Sequence, residues 1–252
     1  MKRFTNKNVL ITGAASGIGH AAATRIASEG GNLALLDVNG DKLGQVAHEL
    51  SEKYAVKVIY EKCNVVDFEA VKAAIDASCE KLGGIQALSH NAGILRCYNT
   101  HEMTLEQWNE VISVNLTGTF NVNRHALRHL LKNKHSYVVN TSSIAAYYRH
   151  PWMSAYSATK GAIKSFTRSL FIEYAQQGLR ANCVLPGSID TPLGRSFEIP
   201  EGADPKLLKS LVPFDNATLV SPESVAAAIA FLASDDAFHM NGTEISIDGG
   251  KI

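Results

Sequence analysis

Cysteine is scarce in this sequence, and the few present stand apart. Cys63, Cys79, Cys97 and Cys183 form no C-x-x-C pair and no other metal-like spacing, so neither a zinc site nor a disulfide framework is encoded. Free thiols in a reducing compartment are expected. Charge of either sign is not in excess, because 24 Lys+Arg face 24 Asp+Glu. A balanced chain offers no electrostatic footprint for nucleic acid or an anionic membrane. No apolar run approaches membrane-spanning length, and Met1-Lys2-Arg3-Phe4-Thr5-Asn6 is too polar for an export signal. A cytoplasmic location is therefore expected, and the Asn-x-Ser/Thr sequons at Asn115, Asn140, Asn216 and Asn241 read as chance matches. Linkers, internal repeats and low-complexity tracts are absent as well. His125, His129 and His135 lie at loose helical spacing, but no carboxylate or cysteine completes a metal set, so no metal is expected.

What is present is a regular alternation. Hydrophobic residues make up 46% of 252, enough for one large packed domain. Short apolar runs at 8–12, 33–37, 56–60, 85–89, 137–142, 180–185 and 244–247 read as strands. Helical patterns at 17–28, 42–53, 68–82, 115–131, 156–176 and 222–233 fall between them. Thr104 to Gln107 fits a capping box, and Ser221-Pro222 an N-cap followed by proline at the first helical position. Strand–helix alternation throughout implies parallel βαβ units with helices on both faces. The expected fold is a single α/β domain over 1–252, a Rossmann-type doubly wound parallel sheet of about seven strands. Proline is rare, and four of the seven prolines (192, 200, 205 and 213) fall in 188–215, which lacks periodicity. Such a stretch in a compact domain reads as a functional loop, here a lid.

Three constellations carry chemistry. The loop 12–19, Thr-Gly-Ala-Ala-Ser-Gly-Ile-Gly, joins the first strand to the first helix. Glycine there permits a tight turn and close approach of a pyrophosphate to a helix start. Gly19 is followed by His20 rather than by Lys-Ser/Thr, which excludes an ATPase-type phosphate loop. Asp37 ends the second strand, where a carboxylate can accept bonds from the adenosine ribose hydroxyls and would repel a 2′-phosphate. With no base in the loop and none after Asp37 until Lys42, NAD is favoured over NADP. Finally, Tyr156 and Lys160 stand at i and i+4, on one face of a helix. A nearby ammonium is expected to lower the phenol pKa toward the working range of an acid–base catalyst. Ser157 to Lys160 also fits S-x-x-K, but the partner motifs of acyl-transfer enzymes are missing.

TGxxxGxG followed by YxxxK in a chain of this length resembles the short-chain dehydrogenase/reductase family. The resemblance spans nearly the whole chain. Asn91-Ala92-Gly93 matches its NAG motif, Asn115 its catalytic asparagine and Ser143 its serine. Pro186-Gly187 with Thr191 matches the carboxamide-holding segment, and Ile247-Asp248-Gly249-Gly250 the C-terminal motif. The resemblance implies a hydride transfer between NAD(H) and a secondary alcohol or ketone. It makes Tyr156 the acid–base group and has Lys160 lower the Tyr156 pKa and hold the nicotinamide ribose. Ser143 would bind the substrate oxygen, and Asn115 would order a water in a proton relay, within a catalytic segment 143–160. It also implies cofactor contacts from Gly13, Ser16, Gly17, Ile18, Gly19, Asp37, Val38, Asn64, Val65, Asn91, Ala92, Gly93, Tyr156, Lys160, Pro186, Gly187, Ile189 and Thr191.

The sequence departs from the family's pattern in three places. His90 stands where a first Asn is usual before Asn91. Asn64-Val65 replaces the usual Asp-Val, its amide still able to bond adenine. Ala146 stands where glycine is common. The His90 and Asn64 changes are expected to alter affinity rather than abolish activity. The substrate pocket is expected to use Ser143, Ala145, Tyr148, Met153, Tyr156 and Leu95 under the lid, favouring a fairly hydrophobic or cyclic substrate such as a hydroxysteroid-like compound or a diol. The alternatives are a 3-oxoacyl thioester reductase and a non-catalytic NAD-binding regulatory protein. In resembling proteins the helices at 115–131 and 156–176 build subunit interfaces, so a homo-oligomer, dimer or tetramer, is expected.

Overall fold

The computed structural model describes residues 2–207 and 219–250. Seven strands lie in one sheet: β1 (Asn8–Thr12), β2 (Asn32–Asp37), β3 (Val58–Lys62), β4 (Ala87–His90), β5 (Ser136–Thr141), β6 (Leu179–Pro186) and β7 (Glu244–Ile247). Their order is β3-β2-β1-β4-β5-β6-β7 and every pairing is parallel. The chain builds outward from β1 to one edge, then returns to place β4 on the other side of β1. The expected doubly wound Rossmann-type domain is the fold observed.

The side-chain period of two explains why these runs are apolar without alternation. Val9, Ile11, Leu33, Leu35, Tyr137 and Val139 point into the core on one face, with the helices α1 (Gly17–Ser28), α2 (Gly40–Tyr54) and α8 (Pro222–Leu232). Leu10, Ala34, Leu36, Leu88 and Val138 point into the other core, against α3 (Phe68–Leu82), α5 (Gly118–Leu130) and α6 (Ser154–Tyr174). Among the described residues the remaining α-helices are α4 (Leu105–Ile112) and the short α7 (Pro192–Arg195). None of the helices described is long and apolar enough to cross a membrane.

Local chemistry sets the helix starts. Asn39 and Asp67 accept bonds from Lys42 and Ala70, Thr104 and Gln107 complete the capping box, and Ser221 accepts from Glu223 with Pro222 first in α8. α1 differs, because Ser16 at its N-cap makes no side-chain capping bond.

Several elements differ from the sequence pattern, and β4 spans Ala87–His90 rather than 85–89. β3 begins at Val58 rather than Val56, because Ala55 takes a left-handed conformation (φ 52°) to end α2. The helix announced by the Thr104 capping box is α4, and the helix expected over 115–131 is continuous with it through a π turn at Ser113–Thr117 before α5. The wider turn follows from Asn115, whose side chain is pulled aside to bond the backbone of Ile94 at both N–H (2.8 Å) and C=O (3.0 Å).

The second core is tied by buried amides. Asn140 and Asn123 exchange bonds between β5 and α5, and Asn140 also donates to Thr167 on α6 (2.9 Å). Asn115 and Asn140 are fully buried, so neither sequon is open to modification in the folded chain. Removing one partner orphans the other, and Asn140→Ala should cost about 2–3 kcal/mol. Thermal denaturation should show a Tm several degrees lower, at roughly 2–4 °C per kcal/mol for this size; an unchanged Tm would show the network to be dispensable.

Candidate active site

β1 and β4 end side by side while their connections leave for opposite faces, which opens a crevice at their carboxyl ends. A cleft of about 420 Å³ lies there. The glycine loop forms one wall. Gly13 (φ +65°) and Gly17 (φ +54°) occupy the left-handed region. A Cβ on Gly19 would sit 2.1 Å from the Gly13 carbonyl oxygen, so only glycine lets α1 start this close to β1. With Ser16 making no cap, the first N–H groups of α1 remain free beside the cleft. An uncapped helix start behind a loop of glycines and small residues fits a pyrophosphate.

Asp37 closes the adjoining wall. Its carboxylate accepts from the backbone N–H groups of Ala15 (3.0 Å) and Asn39 (2.9 Å), which fixes it toward the loop. Strand pairing also brings Lys62 opposite Asp37, a basic neighbour that sequence proximity alone does not reveal. Val38, Asn64, Val65, Asn91, Ala92, Gly93 and Thr191 line the same cleft with Gly13, Ser16, Gly17, Ile18 and Gly19. Leu36, Cys63, Ile94, Val114, Pro192 and Leu193 line it too, though no motif marks them. Pro186, Gly187, Ile189, Tyr156 and Lys160 are not among the lining residues; Ile189 packs into the core beside α1 and α8. The Asn64 oxygen accepts from Val66 N–H, which leaves its amide NH₂ uncommitted.

Beyond this cleft, β5 and α6 bring Ser143, Tyr156 and Lys160 together, all buried. Lys160 Nζ donates to the Thr141 carbonyl (2.9 Å) and lies 5.6 Å from the Tyr156 ring centroid. Ser143 Oγ accepts from Ala145 N–H (3.1 Å), which leaves its own proton for the Tyr156 oxygen. Asn115 donates to Thr159 Oγ1 (3.3 Å), one turn along α6 from Tyr156. A Cβ on Gly93 would meet Asn115 Oδ1 at 3.2 Å and Lys160 Nζ at 3.6 Å, so that glycine gives both side chains their room.

The expected electrostatics are corrected here. Burial pushes the Tyr156 phenol up to about 12, and the Ser143 hydroxyl only partly offsets it. Burial also lowers Lys160 to about 8. One dry site disfavours both charges, and at this separation the ammonium does not win. Among the described residues no carboxylate pairs with Lys160.

Over Tyr156 lies an apolar cluster of Val111, Ala145, Met153, Ala155, Leu95, Ile94, Cys97, Met103 and Phe197. Sequence reading missed Cys97 and Met103, from the irregular β4–α4 connection, and Phe197, from the lid, which share no periodicity. Tyr148 stands outside this cluster, half-buried, with its ring edge-on to His150 and the Arg149 guanidinium 5.9 Å from its centroid. The predicted lid contributes Phe197, whose ring leans on Trp152 (6.5 Å). Cys97 and Asn99 reach the backbone of Glu198 and Glu201. Lid positions 208–215 lie outside the described residues.

Comparison with known proteins agrees with this geometry. A family model described as enoyl-(acyl carrier protein) reductase matches residues 13–251. The 3-oxoacyl-(acyl-carrier-protein) reductase FabG of Thermotoga maritima is 36% identical over 99% of both chains. Cyclohexanol dehydrogenase of Acinetobacter sp. is 36% identical over 98% of this chain and 95% of its own. A short chain dehydrogenase from Mycobacterium paratuberculosis, solved bound to NAD, superposes with a TM-score of 0.92 at 25% identity, covering 99% of this chain and 98% of that one. The chain belongs to the short-chain dehydrogenase/reductase family. It is an oxidoreductase of the alcohol–carbonyl class.

A buried cation without a carboxylate is costly to fold. Lys160→Met should therefore raise Tm at neutral pH. Because the folded pKa is depressed to about 8, the penalty is fully present below that pH and fades as pH rises toward the unfolded value of about 10.4. The Tm gain should shrink over the same window, and a Tm loss at pH 7 would refute the cost assigned to this charge.

Proposed function

We propose that this protein is an NAD-dependent dehydrogenase/reductase that interconverts a secondary alcohol and its ketone, with Tyr156 moving the proton. The observation that carries this reading is the buried Tyr156 phenol, bonded to Ser143 and adjoining Lys160, at the side of a cleft walled by the glycine loop. The dinucleotide, when bound, supplies or takes up the hydride. In ketone reduction Tyr156 donates its proton to the substrate oxygen; in alcohol oxidation its phenolate accepts the hydroxyl proton. Ser143 Oγ–H donates to the same oxygen as its charge develops. Lys160, held by the Thr141 carbonyl close to Gly93 of the cleft wall, would hold the nicotinamide ribose and favours the phenolate when it is charged. Asn115 holds the Ile94 backbone and borders the space beside Lys160 in which a relay water would sit.

The glycine loop 12–19 and Asp37 support a dinucleotide, and the Asp37 carboxylate, fixed by two backbone N–H groups, supports NAD over NADP. The segment 143–160 supplies the chemistry and the Phe197 end of the lid closes over it. The apolar, sulfur-bearing cluster above Tyr156 suits an uncharged hydrophobic or cyclic substrate. A similar protein is named for its action on cyclohexanol. A second reading, a 3-oxoacyl thioester reductase, rests on the similarity to the Thermotoga maritima protein. The lid offers it little, since Arg195 is paired with Asp190 (2.7 Å). A purely regulatory NAD-binding role would not need Ser143, Tyr156 and Lys160 assembled in one dry site. The exposed Phe120 on α5 and Ile172 on α6 suit a homo-oligomeric contact, dimer or tetramer. The unpaired cysteines suit the cytoplasm.

Tyr156→Phe should retain NADH binding and lose turnover by about three orders of magnitude or more; a kcat within tenfold of wild type would remove Tyr156 from the chemistry. In the wild type, alcohol oxidation needs the phenolate and should rise about tenfold per pH unit between about pH 6 and 8. Ketone reduction, using the neutral phenol, should stay flat over that range, and the opposite pattern in stopped or steady-state assays would contradict the raised phenol pKa. A panel of cyclic and linear secondary alcohols, together with a 3-oxoacyl thioester, should be followed at the absorbance of the reduced cofactor. It should give higher kcat/KM for cyclic alcohols and for NAD; preference for the thioester or for NADP would decide for the second reading or against Asp37.

A further inference from the structure

His90 ends β4 with its side chain fully enclosed, in register with Thr12 on β1 and Asn140 on β5. Thr12 Oγ1 accepts from the backbone N–H groups of Asn91 (3.1 Å) and Ala92 (3.2 Å). A hydroxyl has two acceptor sites and one proton. Both sites are used, so its proton goes to His90 Nδ1, 2.8 Å away. That assigns the tautomer: Nδ1 accepts and Nε2 carries the hydrogen. Nε2 is buried with no partner among the described residues. An N–H left orphaned in a core costs stability, so packing alone does not account for an imidazole at this position. Burial and the nearby Lys160 charge both hold the ring neutral, with a pKa lowered to about 3, so Nδ1 remains an acceptor at every working pH.

What the Thr12 hydroxyl holds is the wall of the cleft. A Cβ on Gly13 would lie 3.0 Å from Ala92 N, so the Asn91–Ala92 turn closes directly on the glycine loop. Asn91 accepts in turn from Thr141 Oγ1 (2.7 Å), and the Thr141 carbonyl holds Lys160. His90 thus stands at the joint between the glycine loop and the segment that carries the lysine. We propose that His90 is a positioning residue for dinucleotide binding: its neutral imidazole orients the Thr12 hydroxyl, which fixes the Asn91–Ala92 turn against the glycine loop. The proposal rests on reading the cleft as the dinucleotide site. It also accounts for a histidine where the resembling family commonly has asparagine, since the Oδ1 of an asparagine stands at the same branch position as Nδ1 and can accept the same proton.

The test compares the full-length wild type with H90N, H90L, T12V and the T12V/H90L double variant, using NADH fluorescence titration, steady-state kinetics and thermal denaturation. H90L and T12V should each weaken NADH binding about tenfold, the loss of one hydrogen-bonded constraint. Their kcat at saturating cofactor should stay within about twofold. H90N should bind NADH within about twofold of wild type. The double variant should be no weaker than T12V alone, because both changes break one linkage. H90L exchanges one unpartnered donor, Nε2–H, for another, the Thr12 hydroxyl, so its Tm should stay within a few degrees of wild type while affinity falls, a separation that a merely structural role would not produce. Wild-type NADH affinity in H90L, strictly additive losses in the double variant, or a loss confined to kcat would each overturn the proposal while leaving the cleft reading intact. A wild-type chain that binds neither NADH nor NADPH would overturn the cleft reading and this proposal together.

Discussion

Two parallel strands, β1 and β4, end beside each other and send their chains to opposite faces of the sheet. The diverging connections leave a gap between them, so the strand ends face a crevice. Most polar groups at those ends then pair locally, His90 Nε2 being left without a partner among the described residues. Thr12, His90, Asn91 and Thr141 do so with one another, and the glycine loop does so by exposing the start of α1. The position of the cleft, the free N–H groups in its wall and the anchorage of Lys160 all descend from that one topological break.

The second governing effect is desolvation. Tyr156, Lys160 and His90 are all enclosed, and each has its charged form disfavoured. A carboxylate beside Lys160 would relieve the cost of folding, but it would also fix the ammonium permanently and neutralise its influence on the phenol. The Thr141 carbonyl orients the lysine without doing either. The site therefore sacrifices some stability to keep a proton donor, a cation and a neutral ring ready within one dry volume.

Much of this architecture was legible from local pattern. Strands buried on both faces have unbroken apolar runs, which is why β1 and β5 stand out, and Thr104 and Ser221 announce their helices through capping chemistry. The edge strand β3 was harder to place: its burial is intermittent and a left-handed Ala55 shifts its start. The π turn was not legible at all. It exists because the Asn115 side chain bonds a backbone segment 21 positions away, and a helix-period pattern does not record such a bond. Tyr148, close to the catalytic segment in sequence, turns toward His150 and Arg149, whereas Phe197 and Cys97, distant from each other in sequence, meet over Tyr156.

By itself the sequence determined the order of strands and helices, the glycine loop, the Tyr156–Lys160 spacing and the balance of charge, because each depends on neighbours within a few turns or strands. Only the tertiary structure decided the protonation of the site, the tautomer of His90, the placing of Lys62 opposite Asp37 and the membership of the apolar cluster. Those depend on burial and on contacts between loops far apart along the chain. Desolvation belongs to the folded volume and not to any one segment, and in this protein it sets the charge state of the residues that carry the chemistry.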